Sequence, residues 1–131
     1  MNGKSPYEQS LDDRGSECQN AWAPPALLLE VASGDEDLIR EVVADFKQDT
    51  ECRLEFTRRA LAGGDRAKLR AEAHAIKGGA RQVGAFAVGD LCQQIELAAP
   101  QASPYELADR LTQLETEFRR ICAAMDVHLN R

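Results

Sequence analysis

The sequence predicts an all-α protein: an antiparallel up-down-up-down four-helix bundle with a short additional N-terminal helix. Three observations carry that prediction. Hydrophobic residues make up 44% of the 131-residue chain but aromatics only 5%, so the core must be built from Leu, Ala, Val and Ile. Such a composition suits packed helices better than β-branched strands. Apolar residues recur at alternating steps of three and four, with no strand-like alternation. The breaks between periodic segments are short and hold Gly and Pro, and short connections make consecutive helices antiparallel neighbours.

Each element can be justified in turn. Residues 1–22 are polar, with few apolar groups, and are expected to form a flexible tail or linker; the bundle is expected over 23–131. In WAPPALLLEVASG, Pro24 and Pro25 suit a helix start and Gly34 a stop. A long helix follows at about 35 to 62, with Asp35, Glu36 and Asp37 in its first turn, where acids complement the helix dipole. Gly63-Gly64 closes it. Ile39, Val42, Val43, Phe46 and Leu54 mark its buried stripe, which Asp49, Thr50 and Arg53 weaken in the middle. The next helix spans about 65 to 83, with a break allowed by Gly84, and another spans about 86 to 99, with Val88, Leu91, Cys92 and Ile95 on one side. Ser103-Pro104 is an N-cap with proline at the first helical position. From there Leu107, Leu111, Leu114, Phe118, Ile121 and Met125 form the cleanest apolar stripe in the chain.

Composition excludes several function classes. A net charge of −6 argues against nucleic-acid binding, which must neutralise phosphates. No apolar run is long enough to span a membrane, and the N-terminus lacks the apolar core of a secretory signal. A cytoplasmic location without membrane contact is expected. Cys18, Cys52, Cys92 and Cys122 are far apart and form no CxxC pair; they read as reduced and mostly packing groups. His128 reads as a surface residue of the C-terminal tail.

One segment does not fit a purely structural account. AEAHAIKGGARQVGA, residues 71 to 85, places a glycine pair inside a helix beside a histidine and a lysine, although each glycine costs about 1 kcal/mol against alanine there. On a helical wheel of about 100° per residue, Leu69, Ala73, Ile76, Ala80 and Val83 form the core face. His74 lies opposite, with Ala67, Arg70, Lys77, Gly78 and Arg81 around it. Lys77 and Gly78 occupy the two neighbouring positions one turn along, one supplying a cation and the other removing bulk. Between Arg66 and Arg81 stand five cations against one acid, Glu72, in an otherwise acidic chain. A reversed charge centred on an exposed histidine suits an anion or an acidic partner. No P-loop, nucleophile elbow or HExxH pattern accompanies it. A lone exposed imidazole with a neighbouring cation and a cleared approach suits carrying a phosphoryl group on its outer nitrogen, Nε2.

The run AHAIKGGARQVGA, followed by LCQQIE, resembles the histidine-containing phosphotransfer (HPt) domain of bacterial two-component phosphorelays. His74, Lys77, Gly78, Gly84, Leu91, Cys92, Ile95 and Glu96 carry the resemblance, which extends over about residues 25 to 125. It departs at position 79, often Ser or Ala in the family and Gly here. The resemblance implies a phosphoprotein without intrinsic kinase activity or bound cofactor, the Mg²⁺ belonging to the partner receiver. It implies that His74 accepts a phosphoryl group from a receiver-domain aspartate and passes it to another response-regulator receiver. Lys77 would steady the phosphoryl, Gly78 would give the receiver room, and Glu96 would orient the imidazole. The implied partners are response-regulator receivers and a hybrid sensor histidine kinase. Arg70 and Arg81 are docking candidates on charge alone, with an apolar rim around Leu27 to Leu29 and early in the long helix. The alternative is a receiver-docking module with no chemistry at His74. A dimerising kinase helix pair fits less well, because no glycine-rich ATP loop exists in the chain.

Overall fold

The computed structural model describes residues 21–130, which form five helices and no strand. These are α1 (Ala26–Val31), α2 (Glu36–Gly63), α3 (Arg66–Gln82), α4 (Phe86–Ala98) and α5 (Pro104–Leu129). The expected tail lies outside the described residues except for its last two positions, and Cys18 lies outside them too.

The boundaries follow local chemistry. Asp35 accepts from the amides of Asp37 and Leu38 at the start of α2. Asp65 and Ser103 accept from Lys68 and Glu106 at the starts of α3 and α5, each at 3.0 Å. Each side chain satisfies an amide that has no partner within its helix. Gly64 ends α2 with φ +73°, a left-handed conformation that favours glycine.

Helix α2 packs on α3, α3 on α4, α4 on α5, and α5 back on α2. This ring encloses one core. Leu69, Ile76, Val88, Ile95, Leu107, Leu111, Leu114 and Met125 are all within 1% of full burial. Cross-helix partners pair rising numbers on one helix with falling numbers on the next. Phe46 lies against Gly79 and Arg53 bonds Glu72 between α2 and α3; Lys47 pairs with Asp126 and Arg58 with Glu115 between α2 and α5.

Two expectations, on Thr50 and on His128, are corrected. Thr50 does not interrupt the α2 stripe. It is 1% exposed and, with Thr57, extends the stripe through the core; the Thr57 hydroxyl donates to the Leu54 carbonyl at 2.6 Å, which lets its methyl pack inward. The cysteines described are mostly packing groups as expected, with Cys92 buried, Cys122 half-buried and Cys52 exposed. His128 belongs to α5 rather than to a tail; it is half-buried and meets the Trp22 ring edge-on, 5.5 Å between centroids.

That Trp22 is itself buried, at 7% exposure, and its Nε1 donates to the Val83 carbonyl at 2.7 Å. Gly84 makes the arrangement possible. Its φ is +80°, and a side chain there would meet Pro25 Cδ at 3.1 Å and Trp22 Nε1 at 3.4 Å. The segment leading into α1 therefore straps the turn between α3 and α4.

Candidate functional site

Helix α3 presents its apolar side inward. Leu69, Ala73, Ile76 and Ala80 are buried, and Val83 just beyond them is buried as well. His74 emerges on the opposite side, its side chain 68% exposed, on an open helix surface.

The seam between α3 and α4 arranges the polar groups. Steps of three and four residues forward along α3 meet equal steps backward along α4. His74 faces Glu96, Lys77 faces Glu96 and Gln93, and Arg81 faces Gly89 and Asp90. His74 Nδ1 is 2.8 Å from Glu96 Oε2. Lys77 Nζ is 2.6 Å from Glu96 Oε1 and donates to Gln93 Oε1 at 2.8 Å. The Lys77–Glu96 contact is an ion pair rather than an aligned hydrogen bond, since Oε1 is shielded from solvent and accepts no bond of good angle.

Electrostatics fix the tautomer. Burial pushes the Glu96 carboxyl up, but the close Lys77 ammonium and the hydrogen bond with His74 outweigh this and hold it below the usual range. Glu96 is thus ionised near neutral pH and only accepts. The proton between the two residues therefore sits on Nδ1 of His74, which leaves Nε2 as the nitrogen not engaged by Glu96. Beneath this pair Cys92 is fully buried, and burial with the nearby Glu96 charge pushes its thiol up to about 12. It packs there as an unreactive group.

The wheel put Lys77 on the open face beside His74. The structure turns it into the seam, only 15% exposed, because two acceptors on α4 draw it in. The excess positive charge is also partly spoken for. Arg66 donates to the carbonyls of Ala99 and Ala102 at 2.8 and 2.6 Å, capping the end of α4. Lys68 and Arg53 both pair with Glu72, which is 5% exposed. Arg70 stays exposed and enters no ion pair among the described residues. Arg81 has a loose pairing with Asp90 at 3.9 Å.

The two glycines differ. A side chain at Gly78 would meet nothing within 4 Å, whereas one at Gly79 would touch Phe46 at 3.8 Å, an ordinary contact. Gln93 was not singled out from sequence. Its signal was its place three residues before Glu96, on the same face of α4. Among the described residues no group of three or more His, Cys, Asp or Glu side chains is placed to hold a metal ion, and no helix is long and apolar enough to cross a membrane. Several large apolar side chains outside the seam are exposed. Leu27 and Val31 on α1 are 66% and 71% exposed, and Leu38 and Phe86 are also open.

A family model described as the Hpt domain matches residues 41–124, more than half of the chain and inclusive of every residue of the seam. No curated protein and no solved structure matches the chain.

Proposed function

The chain belongs to the Hpt domain family, whose members carry phosphoryl groups in two-component signalling, and on that premise we propose that it is a phosphorelay intermediate with His74 as the acceptor. The observation that carries this reading is a largely exposed His74 ring whose Nδ1 is engaged by an ionised carboxylate, which leaves Nε2 for the reaction.

In the proposed reaction the Nε2 lone pair attacks the phosphorus of a receiver's aspartyl phosphate. An N–P bond forms, the P–O bond to the aspartate breaks, and aspartate leaves as a carboxylate. The Nδ1 proton stays in place, so the ring becomes cationic, and Glu96 balances that charge. The reverse sequence passes the group to a second receiver. Lys77 pairs with Glu96 and donates to Gln93; an N–H left over on its ammonium serves a phosphoryl oxygen. Gly78 leaves space for the incoming partner, and Arg70 and Arg81 favour an acidic docking surface with exposed Leu27, Val31 and Leu38 as its apolar rim. Mg²⁺ belongs to the receiver, a hybrid sensor kinase is the upstream source, and the domain works in the cytoplasm without kinase activity of its own. Support for an up-down-up-down bundle comes from the reversed order of cross-helix partners.

The test is phosphate transfer from receiver domains charged with acetyl phosphate and Mg²⁺, on wild type beside His74→Gln. Acid-labile, base-stable label on the wild type alone is expected. Label persisting in His74→Gln, with unchanged helicity, would remove His74 as the acceptor. Binding without any label would favour a docking module.

A further inference from the structure

Helix α4 carries a glycine in its interior, and Gly89 is buried. Glycine is the least favourable helix residue after proline, so its presence asks what a side chain would displace. A Cβ there would lie 3.1 Å from Cγ and 3.3 Å from Nε of Arg81. The arginine stem therefore lies across α4 in the space that the missing side chain leaves.

The tip of that arginine is loosely held, and of the α3 cations that have a partner it has the weakest one. Its NH2 nitrogen reaches Asp90 Oδ1 at 3.9 Å, the side chains being 48% and 62% exposed. Exposed pairs at such distance are readily exchanged. Arg66, Lys68 and Lys77 are each held by closer partners. Arg81 is two helical turns beyond His74, about 10 Å along the axis. A partner covering about 800 Å² around His74 extends to a radius of roughly 16 Å, which brings Arg81 under its rim.

We propose that Arg81 is a specificity-determining residue that exchanges Asp90 for an acidic side chain of the docking receiver, and that Gly89 is the positioning residue that seats it. This rests on the phosphorelay reading. Lys77 then serves the phosphoryl group and Arg81 the partner's surface.

Gly89→Ala is a clean probe, because the atoms in its way belong to a flexible side chain and not to backbone. It moves Arg81 while keeping its charge. Transfer from acetyl-phosphate-charged receivers is measured for wild type, Gly89→Ala, Arg81→Gln, the double variant and Arg81→Lys, with thermal melts alongside. Both single variants should raise KM for the receiver on the order of fivefold, with the change in KM rather than in kcat. The double variant should be no worse than Arg81→Gln. Arg81→Lys should recover much of the loss, and the salt dependence of KM should flatten in Arg81→Gln. Additive effects in the double variant overturn the positioning role of Gly89. Unchanged KM in Arg81→Gln, with normal transfer by the wild type, overturns the proposal and leaves the phosphorelay reading standing. A wild type that binds receivers but takes no label overturns both.

Discussion

Gly78 and Gly79 are adjacent in sequence yet face different physical constraints. Neither is required by the packing of this chain, since alanine at 78 meets nothing and at 79 meets Phe46 at an ordinary distance. Alanine at either position is expected to stabilise the fold by about 0.5–1 kcal/mol, through helix propensity and reduced freedom of the unfolded chain. Thermal melts of the two variants check this. Their effects on transfer should part company. Gly79→Ala should transfer at the wild-type rate, and Gly78→Ala should slow transfer while melting higher. Equal transfer by both would take away the idea that position 78 is kept clear for a partner. The placement of His74 was legible in sequence because one helix wheel fixes inside and outside. The placement of Lys77, Gln93 and Gly89 was not, because it depends on how far α3 and α4 slide past each other, and neither helix encodes that alone.

At the scale of the element, the α2–α3 contact is organised by a buried carboxylate. Glu72 pairs with Lys68 at 2.9 Å and Arg53 at 2.9 Å. Burial raises its pKa, and hydrogen bonds from Lys68 and Arg53 lower it further than burial raises it. Glu96 is held low in the same way across α3–α4. A carboxyl with a depressed folded-state pKa binds protons more weakly folded than unfolded, so its stabilisation is complete above the ordinary value of 4.5 and is lost as pH falls through the folded value. Denaturant midpoints should therefore fall below pH 4.5, and Glu72→Gln should flatten that fall. Glu72→Ala is expected to cost about 1–2 kcal/mol at neutral pH, less than most broken buried pairs, because Arg53 keeps Asp49 at 2.9 Å and Lys68 is half-exposed. A steeper loss would mean that the cations are more trapped than their exposure indicates. The helices themselves were legible to within a residue or two, since Asp35, Asp65, Ser103 and the paired glycines act locally. Thr50 misled because residue type alone does not reveal that it is packed in the core, while Arg53 does interrupt the stripe, reaching across to Glu72.

For the molecule as a whole, the N-terminal segment closes the ring of helices at one end. Trp22 bonds the Val83 carbonyl after α3 and meets His128 near the end of α5, and Arg40 of α2 donates to the Leu129 carbonyl in α5. One side chain thus ties the turn behind the His74 helix to the last helix. Sequence reading placed Trp22 in the tail because a single aromatic in a polar run gives no periodicity to follow. Its burial implies that the strap belongs to the same cooperative unit as the bundle. Trp22 is the one tryptophan of the chain, so its fluorescence reports on the strap alone, whereas circular dichroism at 222 nm reports on the helices. In urea the two signals should change together, with one midpoint. Trp22→Ala should lower that midpoint by an amount equivalent to about 3 kcal/mol, as expected for truncating a large buried aromatic. If fluorescence changed first while helicity persisted, the strap would be a separately opening element. Its release would then free the turn at Gly84 without unfolding the helix that carries His74.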